Sequence, residues 1–110
     1  MKNNSGKKIV RNKIDAIAGL LYKKYHANKV ILFGSYAYGK PHECSDIDLL
    51  IIKETNDRSI DRIVDVKRLV RKLREGIPFS PIVITPTELD NRLKIGDQFI
   101  EEILERGVEI

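Results

Sequence analysis

Two short stretches of the chain hold residues that could do chemistry together. Gly34-Ser35 follows the apolar run VILF, and Asp46 and Asp48 stand one residue apart at the head of a second apolar run, in SDIDLLII. In an extended strand, residues two apart share a face. Asp46 and Asp48 therefore carry their carboxylates on one side, about 6 to 7 Å apart, with Ile47, Leu49 and Ile51 turned the other way. Two like charges on an apolar strand repel each other and resist desolvation, so something should compensate them. A hard divalent cation does so, and Mg2+ takes one or two carboxylates while keeping other positions for water and substrate phosphates. This makes Asp46 and Asp48 candidate metal ligands and candidate catalytic residues.

The phosphates have a seat close by. Gly34 has no Cβ, so a phosphate can approach its backbone, and Ser35 offers a hydroxyl and the N–H groups of a short helical start. Taken singly, a Gly-Ser after a strand is ordinarily a turn, and Asp-x-Asp is common in loops. The pair in this order, leading directly into an apolar run, is more specific: a nucleoside triphosphate at the turn and a metal held against it by the aspartates.

The hydrophobic pattern shows the strands and helices that carry these groups. Ile9, Val10, Ile14, Ile17, Ala18, Leu21 and Tyr25 recur at helical spacing and predict an amphipathic helix from about Lys7 to His26. Val30 to Phe33 reads as a short buried strand stopped by Gly34, Ser35 to Gly39 as one helical turn, and Asp46 to Ile52 as a second buried strand. A second amphipathic helix runs from Arg58 to Arg74, with Gly76 placed to cap it. A third strand is expected from near Phe79, where Pro81 suits a strand start or an edge. Thr85, Pro86 and Glu88 form a capping-box signature for a further helix, and a last short helix spans about Gln98 to Glu105. The order α-β-β-α-β-α-α predicts an α/β (α+β) fold, a small mixed β-sheet with helices packed on it.

The 110 residues are those of one domain, 1–110, with residues 1–6 a candidate disordered start. Its single cysteine, Cys44, excludes an internal disulfide and is read as a loop thiol without a role; His26 and His42 are read as surface residues, with no second Cys to suggest a zinc site. No apolar run is long enough for a membrane span and no secretory h-region opens the chain, so a cytoplasmic location is expected. A net charge of +4 favours an anionic partner without choosing among nucleotide, nucleic acid and acidic protein. Lys67, Arg71, Lys72 and Arg74 offer a possible contact for RNA, but no aromatic stacking platform accompanies them, and a solvated, dipole-complementing helix face is the plainer explanation.

The stretch from Phe33 to Ile52 closely resembles the signature of the polymerase-β-like nucleotidyltransferases: a Gly-Ser followed, after a short variable loop, by Asp-x-Asp. The layout of nearly the whole chain, including the ending ITPTELDNRLKIGDQFIEEILERGVEI, looks like the minimal nucleotidyltransferases of that superfamily. The resemblance implies that Gly34 and Ser35 bind the triphosphate, with Ser45 at the head of SDIDL a further nucleotide-binding candidate. It implies that Asp46 and Asp48 hold Mg2+ for transfer of AMP from ATP to a hydroxyl. It also implies a partner, since such domains are often paired with a helical HEPN-domain toxin that the nucleotidyltransferase neutralises by adenylylating or simply binding it.

Two positions depart from the family pattern. Tyr38 stands where Arg is frequent. The third carboxylate expected on the next strand falls, by register with PIVIT, at Ser80, which cannot act as a base near neutral pH. Either the register differs, or Asp90 or another acid serves, or the enzyme is slow or inactive. Two functions stay open at this point: transfer of AMP to a hydroxyl on a partner protein, and a catalytically weak nucleotide-binding module that acts by covering its partner.

Overall fold

The computed structural model describes residues 2–39, 41–42 and 45–110, with side chains from Ile9 onward. Cys44 lies outside the described residues. The elements run α1 (Lys2–Lys24), β1 (Lys29–Phe33), β2 (Ile47–Ile52), α2 (Ser59–Arg74), β3 (Phe79–Ile84), α3 (Pro86–Lys94), α4 (Gln98–Arg106) and β4 (Val108–Glu109). The strands form one mixed sheet in the order β3-β2-β1-β4. β1 pairs antiparallel with both β2 and β4, and β2 pairs parallel with β3.

Helices cover both faces, which is why β1 and β2 read as unbroken apolar runs rather than as alternating ones. On one face, Ile14, Ile17, Ala18 and Leu21 of α1 and Val66 and Val70 of α2 meet Val30, Leu32, Ile47, Leu49 and Ile51. On the other, Ile100 and Ile103 of α4 cover Ile31, Phe33, Leu50, Ile52 and Ile84, with Leu89 and Leu93 of α3 at the margin. The period-2 alternation places Asp48, between Ile47 and Leu49 of the opposite face, on this α3/α4 face with Leu50 and Ile52.

Several boundaries differ from the sequence expectation. α1 starts at Lys2, so the helix reaches into the stretch 1–6 expected to be disordered, and it ends at Lys24 rather than His26. Its polar first turns carry no apolar stripe to announce them. The cap residue of α2 is Glu75, in the left-handed region at φ 42°, with Gly76 following at φ +83°. The final VEI, unassigned by pattern, supplies β4. Two residues are too few to show a period, and what makes them a strand is the free edge of β1, where Ile31 faces Glu109 and Leu32 faces Val108. Tyr22 ties this edge to α1: its hydroxyl donates to the Ile110 carbonyl at 2.7 Å and accepts from Val30 N–H at 2.9 Å.

Other expectations hold. Pro81 lies in β3, the edge strand beyond β2, where its missing N–H is tolerated. The capping box of α3 forms as read: Thr85 Oγ1 accepts from Glu88 N–H at 3.1 Å and Glu88 Oε1 accepts from Thr85 N–H at 2.8 Å.

Candidate active site

The site is built on one row across the sheet. Phe33, at the end of β1, is the register partner of Asp48 in β2, and Asp48 is the register partner of Ser80 in β3. The parallel pairing of β2 with β3 thus brings Ser80 beside Asp48, the position at which the sequence register put it. Asp46 lies just before β2, and Ser80 Oγ donates a hydrogen bond to Asp46 Oδ2 at 2.7 Å. Asp46, Asp48 and Ser80 are therefore one group of oxygen atoms, each residue only partly buried.

Gly34 closes the group from the β1 side. Its φ is +75°, and a Cβ there would overlap Asp48 Oδ2 and lie 3.1 Å from Asp48 Cγ. The glycine is thus needed twice, for a backbone conformation that side chains disfavour and for space that the Asp48 carboxylate occupies. The chain then makes one helical turn, with the N–H groups of Ala37 and Tyr38 both donating to the Gly34 carbonyl at 3.0 Å. The N–H groups of Ser35 and Tyr36, at the start of this turn, have no acceptor among the described residues.

The electrostatics of the pair are unfavourable without a counter-charge. Burial, and after it the charge of Asp46, pushes the Asp48 carboxyl above its usual range. Among the described residues, no Lys or Arg nitrogen lies within 4.0 Å of either carboxylate. Two adjacent carboxylates and a hydroxyl, lacking a cationic side chain, are a hard oxygen set of the kind that suits Mg2+. No cluster of three metal-ligating His, Cys, Asp or Glu forms among the described residues, so Asp90, exposed on α3, does not supply the missing carboxylate to this group.

Ser45 has a visible task in the loop. It is buried, its Oγ accepts from His42 N–H at 2.8 Å, and its own N–H donates to the His42 carbonyl at 2.9 Å. These bonds brace the approach to Asp46. His26 and His42 are both exposed.

Two contacts escape any reading of the sequence. The Arg106 guanidinium at the end of α4 lies over the Tyr38 ring, 4.1 Å from its centroid, and pins the turn that starts at Gly34. Phe99, half exposed at the start of α4, packs edge-on against Phe33 with ring centroids 5.9 Å apart. Both pairs join residues far apart in the chain, so no local spacing announces them. The basic residues Lys67, Arg71 and Lys72 are exposed on α2, which covers the sheet face opposite Asp48; Arg74 donates to the Ile77 carbonyl at 3.0 Å and so serves its own helix end. No helix among the described residues is long and apolar enough to cross a membrane.

The sequence model of the family described as "Polymerase beta, Nucleotidyltransferase" matches residues 15–110. Three similar proteins of Methanocaldococcus jannaschii each bear the name "Putative protein adenylyltransferase". One is 46% identical over 54% of this chain and 43% of its own length, so the chain spans less than half of that relative. A second is 38% identical over 86% of this chain and 90% of its own length, and a third 36% identical over 76% and 78%. A solved structure, "a putative nucleotidyltransferase from Sulfolobus solfataricus", aligns with a TM-score of 0.47 at 24% identity, covering 77% of this chain and 71% of that one.

Proposed function

The chain belongs to the polymerase beta nucleotidyltransferase family and is an enzyme of the nucleotidyltransferase type; from that premise we propose that it moves AMP from ATP to a hydroxyl on a partner protein. The observation that carries this reading is the Gly34–Asp48 contact. It sets the turn suited to a triphosphate directly against the carboxylate pair suited to a metal. Gly34 and Ser35, with the N–H groups at the start of their turn, hold the phosphates. Asp46 and Asp48 hold Mg2+, which when bound neutralises charge on the triphosphate. Ser45 acts behind them by bracing the loop.

In the transfer, the acceptor oxygen forms a bond to the α-phosphorus, the bond to the pyrophosphate oxygen breaks, and the acceptor proton is lost to water. Ser80 cannot take that proton near neutral pH, so the rate must rest on positioning and charge, which dominate phosphoryl-type chemistry. The partner we propose is a HEPN-domain toxin, with this chain as its antitoxin in the cytoplasm. The test is incubation with α-labelled ATP and Mg2+ in a lysate of the source cells, beside an Asp46→Ala/Asp48→Ala control. Label on one discrete protein, dependent on both aspartates, supports the reading.

One observation favours a second reading. With Ser80 in place of a third carboxylate, the same site would bind nucleotide but transfer it poorly, and the chain would neutralise its partner by covering it. A stable complex with the partner that is indifferent to Asp48→Asn, together with an absence of label, would select that reading.

A further inference from the structure

The hydrogen bond between Ser80 and Asp46 fixes a serine hydroxyl inside the oxygen group that faces the phosphate turn. At 2.7 Å from Asp46 Oδ2 the hydroxyl is held in one place, and a positioned serine oxygen is a competent acceptor for phosphorus. Ser80 is the register neighbour of Asp48, on a strand about 4.8 Å away, and Asp48 in turn is packed against Gly34. A triphosphate seated on the Gly34–Ser35 turn and charge-balanced at the two aspartates therefore lies alongside the Ser80 hydroxyl. Access is open as well: β3 is the edge of the sheet, and Ser80 is only partly buried.

We propose that Ser80 is itself an acceptor, so that the protein adenylylates its own active-site serine. Ser80 Oγ forms a bond to the α-phosphorus of ATP, the bond from that phosphorus to the bridging oxygen breaks, and pyrophosphate leaves. The hydroxyl proton is lost to water, as in transfer to an external acceptor. The product is a serine phosphodiester of AMP lodged beside Asp46 and Asp48, where it excludes a second nucleotide. Self-modification is then limited to one event per chain and takes the site out of use.

This proposal rests on the nucleotidyltransferase reading above, and the experiment separates the two. The whole protein is incubated with ATP and Mg2+ without any partner. Its intact mass and its peptides are then measured, and binding of α,β-methylene ATP is followed by calorimetry. The expected result is a single AMP on the peptide that contains Ser80, absent from Ser80→Ala and retained at position 80 in Ser80→Thr. The adducted protein should also bind the analogue at least about tenfold more weakly than the unmodified protein. If the unmodified protein binds the analogue and labels an external acceptor while Ser80 stays bare, self-adenylylation is overturned and the transferase reading stands. AMP found on Ser35 or any other residue overturns it too. Failure to bind the analogue at all overturns both.

Discussion

The carboxylate of Asp48 occupies the space that a side chain at Gly34 would need. Gly34→Ala must therefore displace Asp48 as well as strain the turn. Gly39 provides the control, since it too has a positive φ, +77°, but no atom of the described residues within 4 Å of an added Cβ. Gly39→Ala should cost about 1 to 2 kcal/mol of stability, the ordinary expense of a left-handed residue with a side chain, with transfer preserved. Gly34→Ala should destabilise more and slow transfer about 100-fold, as expected when a reacting group is moved by about an ångström. Thermal unfolding and label transfer, measured on both variants, check this.

Asp48 should weaken the apo fold at neutral pH. Its folded pKa is raised by burial and then by Asp46, so the folded chain holds that proton more tightly than the unfolded chain does. The ionised form opposes folding above the folded pKa, and the penalty disappears as pH falls below the unfolded value. Asp48→Asn should therefore melt higher than the unaltered protein at pH 7, with the difference shrinking toward pH 4. Added Mg2+ should raise the melting temperature of the unaltered protein and leave that of the variant nearly unmoved.

Arg62 links α2 to the start of α3. Its buried side chain bonds Glu88 Oε1 at 2.6 Å and the Asp57 carbonyl at 2.8 Å. Arg62→Ala should cost about 2 to 3 kcal/mol, because it removes charge-assisted bonds and leaves a carbonyl without its donor. The Arg62 bond, with the Thr85 N–H after it, holds the Glu88 carboxyl below its usual range. That contribution is present above the ordinary glutamate pKa and is lost as pH falls through the folded value. Denaturant titrations between pH 3 and 7 should show a steeper acid loss in the unaltered protein than in Glu88→Gln.

Arg106 should act on the nucleotide through Tyr38. Its stacking on the ring braces the turn 34–38 from α4, a contact of about 0.5 to 1 kcal/mol at an exposed site. Arg106→Ala should raise the KM for ATP severalfold with little change in kcat, whereas a loss confined to kcat would count against a role at the phosphate turn.

Charge reversal on α2 should not touch transfer. Arg71 and Lys72 are exposed across the sheet from Asp48, so Arg71→Glu/Lys72→Glu should leave label transfer unchanged. A loss of transfer would show that this face holds the acceptor.

Much of the site was legible in the sequence because its parts are local. The order Gly34-Ser35, then Asp46-x-Asp48 into an apolar run, needs only the two-residue period of a strand to put both carboxylates on one side. The capping box at Thr85 and the apolar stripe of α1 are equally local signals, carried by spacings of three and four residues. Even the register of Ser80 followed from aligning two apolar runs that start together. The start of α1 and the strand β4 were not legible, since one has polar first turns and the other has only two residues, which become a strand by pairing with β1.

Local pattern was enough for the elements, the sheet-and-helix class and the side of the strand on which the aspartates stand, because backbone periodicity sets those without any distant contact. Their surroundings came from folding: the space beside Gly34 is filled by Asp48, Ser80 bonds Asp46, and Arg106 stacks on Tyr38. Each of these joins residues brought together by strand pairing or by the packing of α4. Such contacts depend on chain closure over long separations, which no local pattern encodes.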